Sequence, residues 1–532
     1  MKIVVAEKIS PAALDLLREP QWTVIAPDQI GGELASHLES ADALIVRSAV
    51  QVTADLLAKA DQLRVIGRAG VGVDNIDLDS ATRKGIAVMN TPGANAVAVA
   101  EHTFAMMLAM ARHLCRADKL THAGKWEKSS LQGAELRGKT LGIVGLGRVG
   151  MEVARRARAF AMTVIAHDPF VSRDIVKEQE ISIAELDEVF AAADYLTLHV
   201  GLTSQTAGMV NAQSLGKMKS GVRLVNCARG ELVDEAALCQ ALKTGQVAAA
   251  ALDVFTDEPL KNSPLAGFDN VILTPHIGGS TREAQEAVGY QIALQVKEYL
   301  KDGVIQNAVN VPSLSHDDYL KLQPYIVLAE KLGSFLGQVS EGALAEIVLR
   351  YSGNIAEWKT ELIRNAAIKG ILNEVLEEKA NLVNAAAIAS ARGLRIHEAG
   401  KAEGSAEIVG GVLSLEVKAQ ADEHVVKGAV LHRNTARLLH VDGIDVEAPL
   451  ERNLIYLRNR DVPGVIGKVG TILGNHKINI ADFSLGRRES LKPGAPRDAI
   501  AVVHVDELVS EAVLAELREV PAMEKAKAIR LP

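Results

Sequence analysis

The sequence predicts an α/β protein: two doubly wound parallel-sheet halves up to about residue 310, then two smaller α+β modules. Three observations lead there. Short β-branched runs alternate with longer helical patterns through the first part, the mark of βαβ units. A glycine-rich run, Gly145-Leu146-Gly147-Arg148-Val149-Gly150, stands between one such strand and one such helix. After the turn-forming stretch Asn310-Val311-Pro312-Ser313, the alternation gives way to mixed helices and strands.

The elements follow in order. Apolar runs bounded by polar or turn residues predict strands at Ile3–Ala6, Thr23–Ala26, Ala43–Val46, Arg64–Gly67 and Ile86–Met89. A second set follows at Thr140–Val144, Thr163–Ala166, Tyr195–His199, Arg223–Asn226, Ala248–Leu252 and Val271–Thr274. Six strands suit one complete nucleotide-binding sheet. The helical pattern Glu283–Lys301, ended by Asp302-Gly303, is expected to carry the chain back to the first half, with Gly303 as its left-handed cap. The predicted domains are therefore 1–94 with 285–312, 95–284, 316–450 and 452–532. The third mixes helices (Tyr319–Ser340, Asn365–Glu378, Val383–Arg392) with strands such as Leu344–Tyr351 and Gly411–Lys418, and shows no recognisable chemistry. The fourth reads as strand Asn453–Arg458, turn Pro463-Gly464, helix Val465–Asn475 and strand Ile480–Gly486. An exposed loop Arg488–Arg497, strand Ala499–Val505 and helix Ser510–Glu519 complete it.

Composition narrows the function. Of the 532 residues, 48% are apolar, enough for several cores, and 58 basic against 66 acidic residues leave a net charge of -8. That balance leaves no electrostatic footprint for nucleic acid, and an aromatic content of 3% leaves few stacking platforms for bases. The most apolar long segment, Ala94–Leu114, carries Glu101, His102, Arg112 and His113, so a buried or interface helix fits it better than a membrane span. Cys115, Cys227 and Cys239 fit neither a disulfide framework nor a zinc site, and no metal is expected. With a strand-like rather than signal-like start, Met1-Lys2-Ile3-Val4-Val5-Ala6, the expected compartment is the reducing cytoplasm.

The glycine run is a weak signal alone and a strong one in its strand–turn–helix setting. Gly145 permits the tight turn, Gly147 lets a pyrophosphate approach the backbone, and Gly150 allows close helix–strand packing. The free N–H groups of the helix start then favour an anion. Asp168 follows the next strand, where an acid bonds ribose hydroxyls and repels a 2′-phosphate; this predicts NAD over NADP.

Three further residues follow successive strands of the same sheet: Arg229, Glu258 and His276. Singly, each has an ordinary structural explanation as an ion pair, a turn former or a satisfied core histidine. Together they stand at the sheet edge where nicotinamide belongs. Removing a hydride from a secondary alcohol needs a base for the hydroxyl proton and a cation for the neighbouring carboxylate.

The segments GLGRVG, HDP, NCARGE, ALDVFTDEP and TPHIGGST, in this order, closely resemble the D-2-hydroxyacid dehydrogenase family. VRSA (46–49), GRAGVGVDNID (67–77) and MNTPGANAVAVAEH (89–102) resemble its long-form D-3-phosphoglycerate dehydrogenase branch. The resemblance implies two Rossmann-like domains, an intervening domain, a C-terminal ACT domain and NAD as cofactor. It implies oxidation of 3-phospho-D-glycerate to 3-phosphohydroxypyruvate, the first step of the phosphorylated route to L-serine. In that light Arg229 orients substrate, His276 is the acid/base and Glu258 pairs with His276. Val71, Gly145, Gly147, Arg148, Val149, Gly150, Asp168, Val200, Cys227, Ala228, Arg229, Asp253, His276, Ile277, Gly278 and Gly279 would line the cofactor.

For the substrate phosphate the candidates are Arg47, Ser48, Arg68, Gly70, Gly72 and Lys128; in relatives the segment of Lys128 packs against a partner subunit. In the ACT-like tail, Asn459, Asp461, Gly464 and Asn479 are candidates for an L-serine effector, although Asn459 and Asp461 replace the His and Asn common in serine-controlled relatives. Such tails pair, so a homodimer or homotetramer is expected. Two alternatives stay open. One is another NAD-dependent D-2-hydroxyacid dehydrogenase, acting on glycerate, lactate or 2-oxoglutarate. The other is a corepressor-like NAD-binding protein on the same scaffold.

Overall fold

The computed structural model describes residues 1–171, 180–377, 379–401, 411–488 and 497–532. The loop expected over Arg488–Arg497 falls, at 489–496, outside the described residues, as does Glu378 at the expected end of a helix.

Strands β1 (Lys2–Val5), β2 (Thr23–Ile25), β3 (Ala43–Val46), β4 (Val65–Arg68) and β5 (Ala87–Met89) form a parallel sheet in the order β2-β1-β3-β4-β5. Both faces are covered, so these strands are nearly continuous apolar runs. The helix Ala96–Ala111 then crosses to the second sheet, setting Phe104, Met107 and Met110 against Leu141 and Ile143.

The second sheet comprises β6 (Thr140–Val144), β7 (Thr163–His167), β8 (Ser182–Ile183), β9 (Tyr195–Leu198), β10 (Val222–Asn226), β11 (Val247–Leu252) and β12 (Val271–Leu273). Its order is β12-β11-β10-β9-β6-β7-β8, all parallel. The expectation of six strands is corrected to seven among the described residues. The added strand, β8, contributes only the pairs Ile165↔Ser182 and Ala166↔Ile183, too short to carry a readable period. The order reverses between β6 and β9, opening a crevice at the strands' carboxyl ends.

The helix Arg282–Asp302 returns to the first sheet. Thr281 caps its start through Ala284 N–H at 3.1 Å, and Gly303, at φ 72°, ends it. The stretch after it is more than a linker: Asn310 accepts Val88 N–H (2.9 Å) and donates to Ile86 O (2.9 Å) and Thr82 Oγ1 (3.0 Å), which pins it beside β5.

The third sheet holds β13 (Leu344–Ser352), β14 (Arg395–Lys401), β15 (Val412–Ala419), β16 (Glu423–Leu431), β17 (Thr435–Val441) and β18 (Ile444–Pro449) in the order β14-β13-β15-β16-β17-β18. It is antiparallel except for β13 with β14. Helices His316–Val339 and Glu361–Val375 pack against each other beside it. The last sheet is antiparallel, in the order β20-β21-β19-β22, from β19 (Asn453–Arg460), β20 (Ile480–Arg487), β21 (Asp498–Val505) and β22 (Met523–Arg530). Strand β22 was not expected from the sequence, because among Met-Glu-Lys-Ala-Lys-Ala-Ile-Arg only Ala526 and Ile529 are buried. One apolar cluster runs from the first sheet through the helix His316–Val339 to Tyr456 and Ile500, with the Phe335 ring edge-on to Tyr456 at 5.7 Å.

Candidate active site

The glycine-rich loop leaves β6 and enters the helix Arg148–Ala159. Gly145 has φ 93°, and a Cβ there would stand 2.6 Å from the His199 carbonyl oxygen; one on Gly150 would stand 2.0 Å from Gly145 O. Nothing lies within 4 Å of a Cβ built on Gly147, and no side chain caps this helix. Open space in front of unpaired N–H groups fits a pyrophosphate. Arg148 and Val149 form the first turn, and Val200, just past β9, closes one side of Gly145.

Asp168 follows β7 as expected, but its carboxylate is engaged. Oδ2 accepts Leu146 N–H at 2.8 Å and Oδ1 accepts Phe170 N–H at 2.9 Å. The acid therefore also holds the glycine loop in shape.

Arg229 follows β10 on a turn built by buried Asn226, whose Oδ1 accepts Ala228 N–H (3.0 Å) and whose Nδ2 donates to Arg229 O (2.7 Å). Neighbouring Cys227 is half-buried, and desolvation pushes its thiol up to about 12. The Arg229 guanidinium donates from Nε to Asp74 Oδ2 (3.2 Å) and from Nη1 to Ala228 O (2.6 Å). Asp74 and Asn226 were given no role from the sequence. Asp74 sits in the VGVDNID stretch, but only the fold brings it across to Arg229.

His276 follows β12 with a left-handed backbone, φ 54°. Its Nδ1 lies 2.8 Å from Glu258 Oε2, and Glu258 Oε1 accepts Phe255 N–H at 3.1 Å. Because a carboxylate only accepts, Nδ1 carries a proton, and in the neutral ring Nε2 presents the lone pair. Behind this pair, Asp253 is 1% exposed; its Oδ1 accepts Ile277 N–H (2.9 Å) and its Oδ2 accepts Gly278 N–H (2.7 Å). Burial pushes the Asp253 carboxyl up, but hydrogen bonds from His102, Thr274 and these two N–H groups outweigh it and hold it below the usual carboxylate range.

Arg229, Glu258, His276 and Gly279 face Arg47, Ser48, Arg68, Gly70 and Asp74 across a cleft of about 910 Å³ between the two parallel-sheet halves. The Arg47 loop is shaped by Glu7, whose carboxylate accepts the N–H groups of Arg47 (2.6 Å), Ala49 (3.1 Å) and Val50 (3.2 Å). Arg68 is largely buried and its Nε has no partner; burial first, and then Arg229, lower its pKa. A buried cation with an unpaired donor suits an anionic ligand. Gly72 lies against Arg229, and a Cβ there would meet Nη2 at 2.1 Å; Val71 is exposed, with its carbonyl accepting Asn90 Nδ2 at 2.5 Å.

Two groups of candidates are not brought to one place. Lys128 lies in an exposed 3-10 turn, Lys128–Leu131, and does not line the cleft of its own chain. In the C-terminal module, a groove holds Gly464 beside Lys468, Glu516 and Pro521, and Asn459, Asp461 and Asn479 do not line it. Asn459 is buried and donates to Arg460 O (2.7 Å), Asp461 pairs with Arg487 (3.4 Å), and Asn479 donates to Asp506 (2.7 Å). These side chains satisfy neighbours on their own strand ends and loops, so they do not converge within one chain.

Comparison with known proteins gives three family matches: the D-isomer specific 2-hydroxyacid dehydrogenase NAD binding domain over residues 104–278, the D-3-phosphoglycerate dehydrogenase intervening domain over 321–442, and the ACT domain over 454–522. The D-3-phosphoglycerate dehydrogenase of Methanocaldococcus jannaschii is 40% identical over 532 residues, covering 100% of both chains. That of Bacillus subtilis is 38% identical over 531 residues, again covering 100% of each. Among solved structures, D-lactate dehydrogenase from Aquifex aeolicus, complexed with NAD and lactic acid, is 31% identical with a TM-score of 0.52, covering 59% of this chain and 100% of its own.

Proposed function

We infer the chemistry of this chain from its kinship: it belongs to the D-3-phosphoglycerate dehydrogenases of the D-2-hydroxyacid dehydrogenase family, and it oxidises 3-phospho-D-glycerate to 3-phosphohydroxypyruvate with NAD. This is the first step of the phosphorylated route to L-serine. The observation that carries the reading is the His276–Glu258 pair facing Arg229 in one cleft.

The open glycine loop and the helix start at Arg148 fit the pyrophosphate, and the residues after β10, β11 and β12 fit the nicotinamide end. Bound there, NAD supplies the acceptor for the hydride leaving C2. Arg229 holds the substrate carboxylate, and Asp74 fixes the guanidinium plane from its Nε side. His276 Nε2 takes the C2 hydroxyl proton, and Glu258 stabilises the imidazolium that forms. Arg47, Ser48 and Arg68, at the far side of the cleft, receive the phosphate, with Arg68 offering its unpaired Nε–H. Lys128 reaches that site only if a second subunit contributes it.

The test is NADH formation with 3-phosphoglycerate beside glycerate and lactate. A preference for the phosphorylated acid supports the reading; equal or better rates with glycerate or lactate overturn it in favour of another acid of the family.

Regulation belongs to the same reading. The ACT domain binds a small amino acid, L-serine, between two copies of the chain, so the enzyme is a homodimer or homotetramer. The support is that Gly464, at φ 93°, opens the start of the helix Val465–Asn475, while Asn459, Asp461 and Asn479 do not converge within one copy. Calorimetry with serine on the full chain, beside sedimentation, tests both; no heat and a monomer would reject them. No helix of the described residues is long and apolar enough to cross a membrane. The free thiols of Cys115, Cys227 and Cys239 accord with a reducing cytoplasm.

A further inference from the structure

We propose that His102 is a positioning residue for hydride transfer: through Asp253 it holds the Ile277–Gly278 backbone, and so keeps His276 turned toward Glu258 and the cleft. The proposal rests on the reading of His276 as the acid/base.

The argument starts from the backbone of His276. A non-glycine residue at φ 54° is strained and needs its surroundings to keep it there. The His276 N–H is shared with the Thr274 carbonyl oxygen (3.0 Å), and three hydrogen bonds of the turn run to one residue, Asp253. His276 N–H donates to the Asp253 carbonyl oxygen (2.8 Å), and the next two N–H groups donate to the Asp253 carboxylate. The two bonds that fix the backbone just after the acid/base therefore depend on that carboxylate.

The carboxylate is itself held from behind. Thr274 Oγ1 donates to Asp253 Oδ1 at 2.6 Å. His102 Nε2 lies 3.3 Å from the same oxygen and 3.2 Å from Thr274 Oγ1. Proton counting then settles the histidine's role. A carboxylate only accepts, so the single Thr274 proton goes to Asp253, and Thr274 Oγ1 is left as an acceptor. Both neighbours of His102 Nε2 are acceptors, and Nε2 must carry the hydrogen that bridges them, whether the ring is neutral or charged. A side chain on the helix Ala96–Ala111 thus completes the donor set of a carboxylate on the turn after β11. No other titratable side chain has a hydrogen bond or ion pair with Asp253 among the described residues.

His102 is 18% exposed and lies on a helix whose packing does not need it: Phe104, Met107 and Met110 make the apolar contact. That placement makes the idea testable without destroying the fold. In His102→Leu, Asp253 loses its rear donor, the turn loosens, and kcat falls ~10–100-fold, the scale of a small misplacement of a reacting group. KM for the substrate stays within about threefold, because Arg47, Arg68 and Arg229 are untouched. His102→Gln, with an amide N–H, recovers most of the loss.

A second readout needs neither substrate nor NAD. Amide hydrogen exchange over residues 275–280 of the full-length chain becomes ~10-fold faster in His102→Leu, while the helix Arg148–Ala159 is unchanged. Wild-type exchange over 275–280, or a kcat within twofold of wild type, overturns the proposal. So does a Gln variant as poor as Leu. A wild-type enzyme inactive on 3-phosphoglycerate, or an active His276→Ala, instead overturns the underlying reading, so the two failures are distinguishable. If His102→Leu does not fold, His102→Asn is compared by the same exchange measurement, and wild-type protection at 275–280 rejects the role.

Discussion

Asp74 Oδ2 accepts from Nε of Arg229 at 3.2 Å and lies 3.1 Å from its Nη2, and so joins the two halves of the cleft through one ion pair. The contact uses the side of the guanidinium away from its tip. With Nη1 also given to Ala228 O, the plane is fixed while the outer N–H pair stays available for a carboxylate. Asp74 therefore orients Arg229 more than it competes for it. Asp74→Asn is expected to lower kcat/KM about 10-fold, mostly through KM; the pair is partly exposed, which keeps the effect modest. Steady-state kinetics decide it, and a tighter KM in the variant would mean that Asp74 competes with substrate.

Arg229→Lys is expected to be severely impaired although the charge is kept. Lysine cannot reproduce the planar fork that meets Asp74 on one edge and a carboxylate on the other. Equal kcat/KM for Arg and Lys would demote the residue to a structural one.

His276→Ala is expected to lose ~10²–10⁴-fold in turnover while NADH binding, followed by fluorescence, survives. Glu258→Gln keeps a side chain at Phe255 N–H and should lose less. Near-normal turnover of His276→Ala would remove the proposed mechanism.

Asp168→Ala is expected to narrow the preference for NAD over NADP, since the acid proposed to repel a 2′-phosphate is gone. It should also weaken NAD itself, because the bond to Leu146 N–H that shapes the glycine loop is lost with it. Binding titrations with both cofactors check this. An unchanged NAD affinity would show that the loop holds its shape without Asp168.

Thiol reactivity gives a check by pH. The thiolate is the nucleophile, and burial pushes Cys227 up to about 12, so below that it remains a protonated thiol. Cys115 is exposed. Alkylation at pH 8 followed by peptide mapping should modify Cys115 and spare Cys227 in the folded enzyme. Equal labelling would mean that the cofactor face is open to solvent.

Much of this protein was determined locally. The parallel strands are apolar runs because both their faces are covered, and Gly145–Gly150, Asp168, Arg229, Glu258 and His276 each follow a strand within a few residues. Such signals survive in one dimension, as does the cap Gly303. Strand β8 was illegible because two residues carry no period, and β22 because it buries so few side chains. What only the tertiary structure decided are partnerships distant in the chain: Asp74 with Arg229, Glu7 with the Arg47 loop, Asn310 with β5, and His102 with Asp253. The reason is physical. A buried polar group must find a partner, but nothing in its own sequence neighbourhood says which one; the crossing of helices and sheets makes that choice.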